Sequence, residues 1–176
     1  MDQKVYLAGF DVFYPNAKEL GDEMKKICRA NGFIGMFPMD NSISINRKLP
    51  KSEIAKQIFQ KNIELINEAD IVVANLNVFR GAEPDSGTSF EIGYAYALKK
   101  KIYGYMDDSS SLPVKVSNYY SEVKELEDGI FIDKDGIKIE NLDNPVNLML
   151  SVPTTIIFGS FEDCIKKLAD SRGRFL

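Results

Sequence analysis

The chain has 176 residues, 44% of them hydrophobic and 27% charged, the balance of a water-soluble globular domain of ordinary size. Lys+Arg 22 against Asp+Glu 26 gives a net charge of −4 with no long basic run, which argues against nucleic acid or an anionic membrane as partner. With no histidine, Ser-His and Cys-His catalysis are excluded and zinc loses its usual nitrogen ligand, so acid–base chemistry falls to carboxylates, Tyr or Lys.

Along the chain, Lys4-Val-Tyr-Leu-Ala8 reads as a short buried strand ending at Gly9. Helical periodicity follows from Asn16 to Asn31 through Leu20, Met24, Ile27 and Cys28, with Gly32 as its cap. Phe33–Phe37 is a second strand, closed by Pro38. Asp40 to Pro50 is polar and aperiodic, the pattern of a mobile loop over a site. Ser52–Glu68 is a strong helix with Ile54, Ile58, Leu65 and Ile66 on one face. Asn62 falls on that apolar stripe, either as a buried amide satisfied by backbone or as the floor of a ligand pocket.

Strand Ile71–Leu76, helix Thr88–Lys100 and strand Ile102–Tyr105 come next, with Lys99-Lys100-Lys101 placed to complement the end of that helix. Beyond them the pattern is less regular. Ile130-Phe-Ile132 and Ile137-Lys-Ile139 flank the turn Asp133-Lys-Asp-Gly136 as a hairpin. A last helix starts at Ser160 with Glu162 and Asp163 in its first turn.

Apolar strands alternating with helices imply right-handed βαβ units, hence a doubly wound, mainly parallel five-stranded α/β sheet of the flavodoxin/Rossmann kind. The whole chain, 1–176, reads as a single domain without repeats or linkers. Cys28 and Cys164 are isolated, each in a predicted helix, as reduced thiols of a cytoplasmic protein would be. No apolar stretch is long enough to span a bilayer, and the N-terminus starts a strand rather than a signal peptide. No metal site and no cofactor are expected.

The most informative segment is the loop and helix start after Ile71–Leu76. It delivers Asp85, in a loop with Gly81, Pro84 and Gly87, and Glu91, in the first turn of the predicted helix, to the carboxyl end of a strand. Open α/β sheets bind ligands there, and two carboxylates beside a sugar suit glycosidic-bond chemistry. Taken singly, each has a plain structural explanation: Asp85 as a turn former or N-cap, Glu91 as a partner of the helix dipole. Arg80 reads equally as a ligand contact or half of a salt bridge.

Taken together, these residues resemble the nucleoside 2-deoxyribosyltransferases. The resemblance rests on Phe79-Arg-Gly-Ala-Glu-Pro-Asp-Ser-Gly-Thr-Ser-Phe-Glu-Ile-Gly93, on Val5-Tyr-Leu-Ala-Gly9, on Pro38-Met-Asp-Asn41, on Lys61-Asn-Ile63 and on Asn144-Pro-Val-Asn-Leu-Met149. It implies transfer of 2-deoxyribose between purine or pyrimidine bases by a retaining double displacement, as in deoxynucleoside salvage. By position, Glu91 matches the nucleophile, Asp85 the acid that serves the base, and Tyr6 the group that orients the nucleophile. Asn147 matches an asparagine that reaches the sugar's 5′-hydroxyl from a neighbouring subunit, with Met149 close by, so at least a dimer is implied. Asp40 and Asn41 would lie in the base-side loop, and Gly9 and Gly87 would allow close ligand approach. Some family members carry Asp where this chain has Asn62, so base preference does not carry over at that position. The expected ligands are 2′-deoxynucleosides and free nucleobases. Two rivals stand beside this reading. One is an N-glycoside hydrolase of deoxynucleosides or their 5′-monophosphates, for which Ser86, Thr88 and Ser89 are candidate phosphate contacts. The other is a non-catalytic nucleotide sensor.

Overall fold

The computed structural model describes residues 2–40 and 48–172. Asn41, and most of the Asp40–Pro50 segment expected to cover the site, lie outside the described residues.

Five strands form one parallel sheet: β1 (Gln3–Ala8), β2 (Phe33–Met36), β3 (Ile71–Asn75), β4 (Lys101–Met106) and β8 (Thr155–Phe158), in the order β2-β1-β3-β4-β8. Their continuous apolar runs serve both faces at once. Tyr6, Ala8, Val72 and Ala74 pack into one core layer, while Val5, Leu7, Ile71 and Val73 pack into the other. This is the pattern of a sheet covered on both sides. Helices α2 (Lys51–Glu68) and α3 (Ser86–Ala97) cover the first layer through Leu65, Ile66, Ile92 and Ala95. Helix α1 (Ala17–Ala30) and the last helix, α6 (Phe161–Arg172), cover the second through Met24, Cys28, Cys164 and Ile165. The expected fold is therefore found, and both cysteines are buried free thiols.

The remaining elements are α4 (Leu112–Tyr120), a small antiparallel sheet of β5 (Lys124–Glu125), β6 (Phe131–Ile132) and β7 (Lys138–Ile139), and the one-turn helix α5 (Leu148–Ser151). The hairpin at Asp133–Gly136 is present: Asp133 Oδ1 accepts from the N–H groups of Asp135 and Ile137, and Gly136 has φ +77°.

Three expectations need correction. Helix α3 starts at Ser86, two residues before the predicted Thr88, because the Asp85 side chain caps it. Glu91 is therefore the sixth helical residue and stands in the second turn, not the first. At the far end, Lys99 takes φ +57° just past the helix, and Lys101 already belongs to β4. Lys100 serves the neighbouring helix instead of its own: its ammonium donates to the carbonyls of Asn67 and Ala69 at the end of α2, at 3.0 and 2.5 Å. The α2 stripe is also narrower than its periodicity suggests, since Ile58 is 44% exposed while Leu65 and Ile66 are buried.

Strand order reverses at β1: the chain leaves it for β2 on one side and returns to β3 on the other. The loops after β1 and β3 diverge there, opening the switch-point crevice in which α/β sheets hold ligands.

Candidate active site

Tyr6 lies in the middle of β1, fully buried, on the face covered by α2 and α3. Its hydroxyl donates to Glu91 Oε1 at 2.6 Å. The strand supplies a rigid donor and the helix supplies the carboxylate, so neither group depends on a loop for its place. Burial pushes the Glu91 carboxyl up to about 7; the Tyr6 hydrogen bond pulls it down, and the Asp85 charge pushes it up again. Tyr6 is itself held far above the usual phenol range, chiefly by burial and then by the Glu91 charge, so it stays a proton donor. With Glu91 in the second turn, the helix dipole contributes little, because its effect fades within the first turn. The ionised form rests on Tyr6 instead.

Asp85 is the N-cap of α3, its Oδ2 accepting from Thr88 N–H at 2.9 Å and Thr88 Oγ1 at 3.2 Å. A Cβ at Gly87 would come within 3.0 Å of that oxygen, so glycine keeps the cap uncrowded. The structural explanation of Asp85 thus holds, and it coexists with charge coupling to Glu91.

Between α2 and α3 opens a cleft of about 280 Å³, lined by Phe59, Asn62, Ile63, Gly87, Phe90 and Glu91 together with Ile66. Asn62 faces a pocket here rather than a backbone partner, and among the described residues no hydrogen bond reaches its amide. An amide in that state offers a ligand both donor and acceptor. Phe59 and Phe90, 54% and 52% exposed with centroids 5.9 Å apart, add flat apolar surface at the same cleft.

The other predicted residues are placed elsewhere. Gly9 closes β1 against a polar knot: a Cβ there would meet Asp11 Oδ2 at 2.4 Å and Asn75 Cβ at 2.9 Å. Asp40 is tied into its own turn, accepting from Lys25 Nζ at 2.5 Å and from Phe37 N–H at 2.9 Å. Arg80, at φ +55°, makes no salt bridge among the described residues; its guanidinium lies over the rings of Phe79 and Phe13 at 4.7 and 5.6 Å. Asn147 lines a separate cleft of about 490 Å³ with Arg80, Lys138 and Glu140. Met149, beyond it, is 72% exposed.

Two groups escape the sequence reading. The first is the knot at the carboxyl ends of β1, β3 and β4. Asn75 Nδ2 donates to Asp11 Oδ2 at 3.0 Å, Asn77 donates to Asn75 Oδ1, and Asp107 N–H donates to Asn77 Oδ1 at 2.9 Å. Its signal was an amide closing an otherwise apolar strand, Ile71-Val-Val-Ala-Asn75. The second is Glu140, whose isolated carboxylate in a polar stretch carries no local signal. Among the described residues no cluster of His, Cys, Asp and Glu is arranged to hold a metal ion, and no helix is long and apolar enough to cross a membrane.

Residues 5–149 match the family described as Nucleoside 2-deoxyribosyltransferase. An uncharacterized protein of Schizosaccharomyces pombe is 38% identical over 116 residues, which are 65% of this chain and 55% of that protein. The chain thus spans little more than half the length of this curated relative. Among solved structures, a 2-desoxiribosyltransferase from Leishmania mexicana superposes with a TM-score of 0.73 at 30% identity, covering 96% of this chain and 97% of the other. A 2-deoxyribosyltransferase from Bacillus psychrosaccharolyticus (TM-score 0.51, 21% identity, 66% of this chain and 81% of the other) is alike in fold. So is a protein from Enterococcus faecalis V583 (TM-score 0.58, 18% identity, 98% and 99%).

Proposed function

Starting from a chain that belongs to the nucleoside 2-deoxyribosyltransferase family, we propose that it moves 2-deoxyribose from one nucleobase to another through a covalent sugar ester on Glu91. The observation that carries this reading is the Tyr6–Glu91 hydrogen bond of 2.6 Å at the base of a cleft. It supports a carboxylate that is desolvated enough to be nucleophilic, yet kept ionisable near neutral pH and aimed by a rigid strand.

In the first displacement an ionised Glu91 oxygen forms a bond to the anomeric carbon as the N-glycosidic bond breaks. The departing base takes the electron pair and a proton from Asp85, because an unprotonated base is a poor leaving group. In the second, an incoming base nitrogen attacks the same carbon and displaces Glu91, while Asp85 collects its proton. Two inversions leave net retention. The partial positive charge on the sugar ring in each transition state lies beside the Glu91 carboxylate, where it is stabilised. Asn62, Phe59 and Phe90 are suited to take the base by its edge and faces, and Asn147 of a second copy to take the 5′-hydroxyl. Deoxynucleosides and free bases are the substrates in this reading, in deoxynucleoside salvage, and the working unit is at least a dimer.

A hydrolase acting on 5′-monophosphates finds less support. The Thr88 hydroxyl is committed to Asp85 Oδ2 and the Ser89 hydroxyl to the Asp85 carbonyl, so neither is poised for a phosphate. Incubation with deoxyinosine, with and without adenine, separates the readings by chromatography. Deoxyadenosine supports transfer, hypoxanthine released independently of adenine supports hydrolysis, and inertness toward every deoxynucleoside supports a sensor.

A further inference from the structure

Glu140 follows β7 and turns toward the segment Asn144–Met149. Its Oε1 accepts from the Leu148 N–H at 2.7 Å and its Oε2 from Asn147 Nδ2 at 3.1 Å. On the other side of the same amide, Asn147 Oδ1 accepts from the Met149 N–H at 3.0 Å. A carboxylate oxygen pairs with the amide nitrogen and a backbone N–H pairs with the amide oxygen, so the two contacts together fix which way the amide faces. One Nδ2 hydrogen and one Oδ1 lone pair remain. That combination matches a hydroxyl, which accepts and donates at a single oxygen.

The ground beneath the amide is firm. The Leu112 N–H donates to the Asn144 carbonyl at 2.9 Å, and Ser151 Oγ to Asn144 Oδ1 at 3.1 Å. Lys115, almost fully buried, donates from Nζ to the Pro145 carbonyl at 2.8 Å. Helix α4 therefore holds the segment from one side and Glu140 from the other.

Charge matters as much as geometry. The cleft that Asn147 lines carries Glu83, Asp133 and Glu140 against Arg80 and Lys138. Arg80 stacks on the Phe79 and Phe13 rings but keeps its charge, and Lys138 is exposed on the hairpin, so the lining holds three carboxylates against two cations. A carboxylate bonded directly to the ligand-facing amide is thus a fixed negative neighbour for whatever Asn147 touches. A phosphate monoester brings roughly −1.5 to −2 charges at neutral pH and wants several donors.

Resting on the reading that Asn147 meets the 5′ end of the sugar, we infer that Glu140 is a positioning and specificity-determining residue. It orients the Asn147 amide for a neutral 5′-hydroxyl and repels a 5′-phosphate, which restricts the substrate class to deoxynucleosides and excludes their 5′-monophosphates.

The test compares kcat/KM for deoxyadenosine, 2′,5′-dideoxyadenosine and deoxyadenosine 5′-monophosphate in the full chain and its variants. The unmodified protein should prefer deoxyadenosine to the 5′-deoxy analogue by about tenfold, the worth of one well-made hydrogen bond, and should turn over the monophosphate more poorly still. Glu140→Gln, which removes the charge, should raise the monophosphate relative to deoxyadenosine by about tenfold or more. Glu140→Asp, which keeps the charge but shortens the reach, should lose the hydroxyl preference and still reject the monophosphate. A merely structural role would depress all three substrates alike. Unchanged ratios in Glu140→Gln, while Asn147→Ala erases the hydroxyl preference, would overturn the role of Glu140 alone. If Asn147→Ala also leaves the ratios unchanged, the reading of Asn147 falls and the inference with it.

Discussion

The Tyr6 hydroxyl donates a 2.6 Å hydrogen bond to Glu91 Oε1, joining the middle of β1 to the second turn of the helix above it. This bond opposes the burial that pushes Glu91 up to about 7. If ionised Glu91 is the nucleophile, kcat/KM should rise as pH increases through about 7. Tyr6→Phe removes the contribution that lowers Glu91, so its rising limb should move to higher pH, with activity at pH 7 reduced by about tenfold or more. A pH–rate profile whose limb stays in place would show that Tyr6 does not tune Glu91.

The same burial has a consequence for stability. Glu91 takes up a proton more readily when folded, at about 7, than at its ordinary value of 4.5. Stability from this group is therefore fully present below about 4.5 and is lost as pH rises toward 7. Glu91→Gln, neutral at every pH, should abolish transfer yet melt higher than the parent at pH 8, by about 1–3 kcal/mol, with little difference at pH 4.5. Thermal melts at the two pH values check this, and equal differences at both would contradict it.

Asp85 combines a structural task with a chemical one, and two substitutions separate them. Asn is as good an N-cap as Asp, so Asp85→Asn should leave the melting temperature nearly unchanged, whereas Asp85→Ala should cost about 1 kcal/mol. Activity should divide differently. Both variants should lose rate on substrates with poor leaving bases and retain most of it on an activated one, since only the former need the acid. Equal losses on both substrates would leave Asp85 as a cap and nothing more.

Gly9 is a matter of space rather than backbone conformation. A methyl there would come 2.4 Å from Asp11 Oδ2 and 2.9 Å from Asn75 Cβ, so the knot joining β1, β3 and β4 must shift. Gly9→Ala should destabilise the protein by about 1–3 kcal/mol, measured by urea unfolding. A neutral substitution would mean that the knot yields easily.

Asn147 lines a different cleft from Glu91 within one chain, and Met149 and Val152 are 72% and 78% exposed beside it. If Asn147 completes a neighbour's site, mixing inactive Glu91→Ala with the weakened Asn147→Ala should raise activity above that of Asn147→Ala alone once subunits exchange, because some mixed dimers regain one intact site. Proven exchange without recovery, or a fully active monomer, would rule the shared site out.

The parallel sheet could be read from local pattern, because apolar runs of four to six residues between amphipathic helices need burial on both faces. What escaped was short and tertiary in origin. Helix α4 has nine residues and begins Leu112-Pro-Val, and β8 is the run Thr155-Ile-Ile-Phe158 directly after Val152-Pro-Thr154; neither offers enough periodicity to stand out. The start of α3 depended on a side-chain cap, a single bond that moved Glu91 from the first turn to the second. Residue types and spacing nominated Asp85 and Glu91, and the family resemblance added Tyr6, which by itself reads as a core aromatic of its strand. Their relationship was decided elsewhere: 85 residues separate Tyr6 from Glu91, and only the pairing of β1 with β3 beneath α3 brings phenol and carboxylate into contact. Desolvation likewise belongs to no residue by itself. The proton affinity of Glu91 comes from the layers packed around it, and the facing of the Asn147 amide from a carboxylate seven positions earlier in the chain.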